Sequence, residues 1–384
     1  MLTSKCRAGL LLISCLTMNA VWAQTDTTKA PAAEDEEDYS QYENASSDSS
    51  IRTWCNPKIF DLSPNRFVSL GYDYILKHSI SASPLGSYKE DAKPDSLRTS
   101  DFSTSGLRLN ANIPIISRTR LLWQLGGGYT RSNYHRTLGD YQLPLSDSSQ
   151  EQFFRRLDKQ GLHALNLNST VFVPLGEKRF IIVQLMAELN GNYSLSDEAY
   201  KPDFSTIRSS GSLLYGKRPH DRFQWAVGLS RTYRAGELNY IPVVMYNYTS
   251  VNRKWGTEIL FPARAAYRRK FNSRSILLAG YELEGSSYRL YNTGIFYNSP
   301  INPKNLELRR SELRFRLDYQ RQLIGFFWIS VQAGVRQNYT YNVDSLGENN
   351  TEIFRGFFGT QPYVMLNKAG FAPYCNVSIN LVSP

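Results

Sequence analysis

The chain has 384 residues, 44 Lys and Arg against 34 Asp and Glu, a net charge of +10 and 13% aromatic residues, 25 of them Tyr. Mean hydropathy is −0.40, and no segment approaches the ~20 apolar residues of a membrane-spanning helix, so any membrane insertion must use strands. The sequence has four Cys and four His, with no Cys/His cluster, EF-hand pattern or P-loop. No metal or cofactor is therefore expected, and the basic charge comes without a nucleic-acid motif.

The N-terminus reads as an export signal over residues 1–23. Lys5 and Arg7 make a basic start, Ala8–Leu16 is apolar, and Val21-Trp22-Ala23 is a small-residue exit before Gln24. Leu12-Ile13-Ser14-Cys15 offers the alternative of a lipidated Cys15, but its apolar stretch is short and runs past the cut. Residues 24–65 hold nine acidic and three basic side chains, which leaves residues 66–384 at +14. The leader, 24–58, contains Glu34–Asp38 (EDEED) among Ser, Thr and Asp, the composition of a disordered tether.

From residue 59 to 384 the dominant signal is period two. In 325–341, Phe327, Ile329, Val331, Ala333 and Val335 share one parity, while Ser330, Gln332, Gly334, Arg336 and Asn338 share the other. The same alternation marks 66–77, with Leu70, Tyr72 and Tyr74 outward and Ser69, Gly71, Asp73 and Lys77 inward. It continues through 102–115, 119–134, 161–174 and 178–193. Further strands are expected at 207–216, 222–235, 239–249, 255–270, 274–290, 305–323 and 354–366. The tail from Phe371 to Leu381 is expected to pair at an edge or lie beneath the wall.

Long polar connections (78–101, 135–160, 194–206) alternate with tight turns at Ser117-Arg118 and Gly176-Glu177. That alternation predicts an all-β fold: a closed antiparallel transmembrane β-barrel of about 12–14 strands in the outer membrane. Fourteen results if Pro262 splits 255–270 into two strands, and twelve if it does not. Trp225 and Tyr233, and Phe327 and Tyr339, sit on one parity at spacings that bracket the apolar band between two aromatic girdles.

The inward parity carries charge of both signs. Arg310, Glu312, Arg314, Arg316 and Asp318 fall on 305–323, Glu282 and Glu284 on 274–290, Arg264 and Arg268 on 255–270, and Arg336 on 325–341. Such a ladder suits either an anion-attracting pore or a filled barrel stitched by Arg–carboxylate pairs. Near-balance of charge and a narrow bore favour stitching.

The function expected is that of a non-enzymatic outer-membrane barrel, a narrow solute channel or a structural barrel. The alternative is a lipid-modifying hydrolase at the rim that uses His78 and Ser79, the adjacent His/Ser pair. Cys55 and Cys375 flank the strand region and are expected to form a disulfide across the seam on the oxidising, periplasmic side. The expected partners are membrane lipid, lipopolysaccharide, the barrel-assembly machinery and small anionic solutes. The chain ends in Leu381-Val382-Ser383-Pro384 without a terminal aromatic, which puts the expected assembly signal near Pro362–Leu366.

Behind the signal, Tyr240-Ile241-Pro242-Val243, the run Trp255 to Pro262 and the run Gly280-Tyr281-Glu282 to Tyr288 resemble an uncharacterised, Bacteroidota-like family of outer-membrane β-barrel proteins. The resemblance covers about 55–382. It implies a location and a fold but no activity, so it carries no functional residues.

Overall fold

Period-two alternation becomes a continuous wall. The computed structural model describes residues 59–382 except 85–96, 119, 138–147, 195–199, 234–238, 292–305 and 346–362. The expected signal peptide, the leader and Cys55 lie outside the described residues. The first strands are β1 (Arg66–Pro84), β2 (Arg98–Arg118), β3 (Leu121–Arg136), β4 (Leu162–Pro174) and β5 (Arg179–Gly191). They are followed by β6 (Arg208–His220), β7 (Phe223–Thr232), β8 (Asn239–Thr249), β9 (Trp255–Phe261) and β10 (Arg264–Asn272). The last six are β11 (Ser275–Leu290), β12 (Leu306–Ile324), β13 (Phe327–Thr340), β14 (Val343–Ser345), β15 (Tyr363–Ala369) and β16 (Ala372–Val382).

All sixteen segments lie in one sheet. Strands β1 to β13 pair in sequence order, β13 pairs with β16, and β16 returns to β1, so a ring of fourteen strands closes. The segment count exceeds the expected 12–14 because two wall strands are interrupted. A break at Tyr341-Asn342 separates β13 from β14, and Gly370-Phe371 separates β15 from β16. Pro262 does split the expected 255–270 strand, through a tight β9–β10 turn.

The C-terminal tail is not an edge or an underlay. As β16 it hydrogen-bonds on both sides, Ile379 opposite Leu70 and Ile329, and closes the barrel. Of the expected strand 354–366, the part up to 362 lies outside the described residues, and Tyr363 onward forms β15.

The wall closes a second time above the first ring. Strands β5 and β11 meet in a parallel bridge, Gly191 opposite Arg289, and Asn192 N–H donates to Arg289 O at 3.2 Å. At that height β6–β10 have ended, and β14 and β15 replace β13 and β16. The upper ring therefore has nine strands: β1–β5, β11, β12, β14 and β15. The lower wall is uneven. The seven residues of β9, at ~3.4 Å each and a tilt near 40°, rise roughly 18 Å, short of the ~25 Å apolar band.

Outward residues are apolar and exposed, such as Leu109, Leu167, Leu185, Leu317 and Ile379. On a soluble protein such a belt would be an aggregation surface, but it is the lipid face of a transmembrane barrel. Six short turns, the start of β1 and the end of β16 lie at one end, taken as periplasmic by the usual orientation.

Strand β1 breaks the simple parity. A register shift between Ile75 and His78 leaves Leu76 and Lys77 both exposed and turns His78 inward. Lys77, expected inward, instead pairs with Asp101 at 2.9 Å on the outside. A bulge adds one residue and reverses every parity beyond it.

The expected polar loop 135–160 contains a helix, α1 (Ser149–Gln160). Ser148 caps it by accepting from Glu151 N–H. Gly161 ends it at φ +67, where a Cβ would collide with Ser132 O. The signals for it were present in sequence: a Ser148…Glu151 capping pair, Phe153, Phe154 and Leu157 at helical spacing, then Gly161.

Candidate functional site

The lumen has three levels. At the top, α1 enters the nine-strand ring and buries Phe153, Phe154 and Leu157 against Phe102, Leu306 and Leu308. Strands β1, β4, β14 and β15 add Ile80, Leu162, Val343 and Met365, so the outer mouth is a packed hydrophobic core. Burying each large apolar side chain stabilises it by about 1.5–3 kcal/mol. Arg136 fastens the helix by donating to both Glu151 oxygens at 2.6 and 3.0 Å. Those hydrogen bonds hold the Glu151 carboxyl below its ordinary pKa.

Directly beneath lies a charged layer. Glu312, with no exposed side-chain surface, is shared by Arg336 at 3.0 Å, Arg310 at 3.2 Å and Arg314, whose Nε donates at 2.6 Å. Arg314 also reaches Glu284 at 2.6 Å. Arg108 of β2 crosses the bore to the same Glu284 at 2.6 Å and also pairs with Asp73, which accepts from Asn376 at 2.5 Å. Arg316 and Glu282 pair at 2.5 Å. These upper ladder charges pair with opposite charges on the same or a neighbouring strand, and Arg108 adds a pair across the bore.

The ladder's lower members sit apart from this cluster. Arg268, 1% exposed, pairs with Glu258 at 2.6 Å and donates to Thr249 at 2.7 Å on the β8–β10 wall. Asp318 accepts from Arg66 at 3.4 Å and from Ser330. Arg264, inward at the β9–β10 tip, is exposed and has no ion pair among the described residues. Sequence reasoning left out Asp73, Arg108 and Glu258 as network members. Their inward parity was legible, but each also takes a partner far away in the chain: Glu284 for Arg108, Asn376 for Asp73 and Ser63 for Glu258.

The lowest level exposes a few polar side chains and is two-sided. Asn110, Asn112 and Gln184 face inward and are exposed. Gly126 and Gly128 leave room for the asparagines beside them; a Cβ on Gly128 would stand 2.8 Å from Asn166 Nδ2. The inner faces of β3–β9 carry an apolar band: Leu122, Phe172, Phe180, Leu214, Met245 and Leu260. Opposite it stand Asp318, Ser330, Ser378 and Asn380.

A strap crosses the periplasmic mouth. Residues 59–65 run from β1 to the β7–β10 side of the fourteen-strand ring, half a circuit away. There Phe60 N–H donates to Asp221 O at 2.9 Å, and Thr249 donates to Phe60 O at 2.8 Å. Lys270 pairs with Asp61 at 2.5 Å, and Ser63 donates to Glu258 from its N–H at 2.8 Å and its hydroxyl at 2.7 Å.

The rim-hydrolase alternative is overturned by geometry. His78 is buried and accepts at Nε2 from Arg336 at 2.8 Å, while its Nδ1–H donates to Leu76 O at 2.9 Å. Ser79 is the next residue of a strand and points to the other face, so the pair does not converge. Cys375 is an exposed thiol, unpaired among the described residues, seven residues above Val382 on the lipid-facing parity of β16, between Tyr74 and Ala333. Its expected disulfide partner, Cys55, lies outside the described residues.

No protein-family model matches the chain, and no curated protein matches it. Solved structures similar in fold include the toluene transporter TodX of Pseudomonas putida, 9% identical, covering 85% of this chain and 92% of that one at a TM-score of 0.31. An outer-membrane channel from Pseudomonas putida F1 is 10% identical, covering 83% and 97% at 0.34. The outer-membrane protease OmpT of Escherichia coli is 8% identical, covering 83% and 96% at 0.26. Transporters and a protease stand side by side among them, and each activity belongs to its own protein.

Proposed function

We propose that this chain is a non-enzymatic outer-membrane transport barrel, held shut at its outer end and serving small amphipathic molecules. The observation that carries this reading is the contrast between the levels of the lumen. The upper ring is packed like a soluble core, yet the lower lumen keeps Asn110, Asn112 and Gln184 exposed inward, between a largely buried apolar cluster and a buried polar one. A purely structural barrel has no need of exposed inward side chains, because its interior positions can be filled by side chains.

A solute with one apolar and one polar side matches that division. An anion channel is disfavoured, because the arginines of the charged layer are already paired with carboxylates. Planar-bilayer conductance tests the reading. The wild-type barrel is expected to be silent, and Phe153→Ala/Phe154→Ala, which hollows the plug, is expected to give steady openings. Silence in the hollowed variant, with heat-modifiable migration intact, would favour the structural barrel.

A further inference from the structure

The six periplasmic turns share a composition that neither the wall nor the lumen requires. Residues 117–121, 175–179, 217–223, 250–255, 269–275 and 321–327 together hold thirteen basic and two acidic side chains. The acidic leader lies elsewhere in the chain, so this is a local property of the turns.

Three of the thirteen have partners: Arg218 with Asp221 at 4.0 Å, and Arg253 and Lys270 with Asp61 of the strap. The other ten form no ion pair among the described residues. They include Arg118 and Arg120 on the first turn, Arg274 on the fifth and Arg321 on the sixth, all exposed. Like charges crowd at one level around the mouth, which costs free energy unless counter-charge is present.

A second feature says which counter-charge fits. The turns also present large apolar tips to the outside: Leu175 at 47% exposure, Val251 at 78%, Phe271 at 59% and Ile324 at 75%. Soluble acidic proteins would meet the basic groups but leave these tips in water. A lipid headgroup layer accommodates both, because the tips enter the acyl boundary while Lys and Arg reach phosphates. Trp123, Trp225 and Trp255, on the lipid-facing parity beside these turns, mark the same interface.

We propose that the periplasmic turns form a cationic, apolar-tipped collar that gathers anionic phospholipids, through their phosphodiester headgroups, in the leaflet facing the periplasm. The collar rests on the membrane-spanning fold and is independent of whether the lumen conducts. It would recruit an annulus of acidic lipid around the strapped mouth, where the local field falls off within a Debye length.

The three outward tryptophans supply the test. The full chain is reconstituted into phosphatidylcholine vesicles containing equal mole fractions of brominated phosphatidylglycerol or brominated phosphatidylcholine, and tryptophan quenching is read. The expected result is severalfold stronger apparent association for phosphatidylglycerol. The preference is expected to fall towards parity at high salt, and in Lys254→Gln/Arg269→Gln/Arg274→Gln, which strips charge around Trp255. Equal quenching by the two lipids at low salt would overturn the proposal. So would a preference indifferent to salt and to the substitutions, or capture of an acidic protein without lipid preference. Absence of quenching by either lipid would instead overturn the membrane-spanning reading. Heat-modifiable migration of the triple variant controls for folding.

Discussion

At the residue scale, Glu312 is the carboxylate on which the charged layer depends. Three arginines converge on it and none is exposed enough for water to replace it. Removing it leaves buried cations uncompensated, a change that typically costs about 3–5 kcal/mol. Glu312→Ala is expected to lower the urea midpoint of the reconstituted barrel by a corresponding margin, and Glu312→Gln by less. Arg314→Ala is expected to act as a stability mutation too, since Arg314 bridges Glu284 and Glu312 rather than lining an open pore.

Glu151 gives a pH signature at the same scale. Hydrogen bonds from Arg136 lower its folded pKa, so its contribution is present above the unfolded pKa. That contribution is lost as pH falls through the lowered value. The attachment of α1 should therefore weaken below the ordinary carboxylate range and hold at neutral pH. Amide exchange of 149–160 across an acid series reads this directly, and Glu151→Gln should flatten the dependence.

At the element scale, α1 and the strap close the two ends of one lumen. Phe154 packs on Phe102 with ring centroids 5.8 Å apart, and Arg136 sits over its face at 5.5 Å. Phe154→Ala should cost about 3–5 kcal/mol if the site does not collapse. Helix and upper ring should then loosen while the lower wall keeps its pairing, a difference visible in exchange protection. The strap is expected to limit entry from the periplasmic side. With Asn112→Cys as a lumen probe in a background lacking Cys55 and Cys375, Asp61→Ala/Ser63→Ala should speed labelling by a bulky water-soluble maleimide. An unchanged rate would show that residues 59–65 do not occlude the mouth.

At the scale of the whole molecule, closure removes every sheet edge that an open sheet would expose. Strand β16 is decisive because it pairs with β13 and β1 along most of its length. Truncation after Gly370 is therefore expected to abolish the heat-modifiable form, where loss of a mere edge or underlay would leave it in place.

Much of this barrel was legible in one dimension. Strand positions, the long-and-short alternation of connections, the lipid face and the inward charges all follow from period two, because successive side chains of a strand must face opposite ways. The capping pair and Phe153-Phe154…Leu157 made α1 readable as well, although polarity around it suggested a loop. The β1 bulge was not readable, since one inserted residue leaves composition unchanged while reversing the face of Lys77 and His78. Nor was the joining of Arg108 to Glu284, 176 residues apart. Only the tertiary structure decided the second closure through β5 and β11, the sealing of the outer mouth by α1, and the strap's crossing to Glu258. Each depends on which distant strands become neighbours when the wall curls, and local alternation is the same whatever the curl.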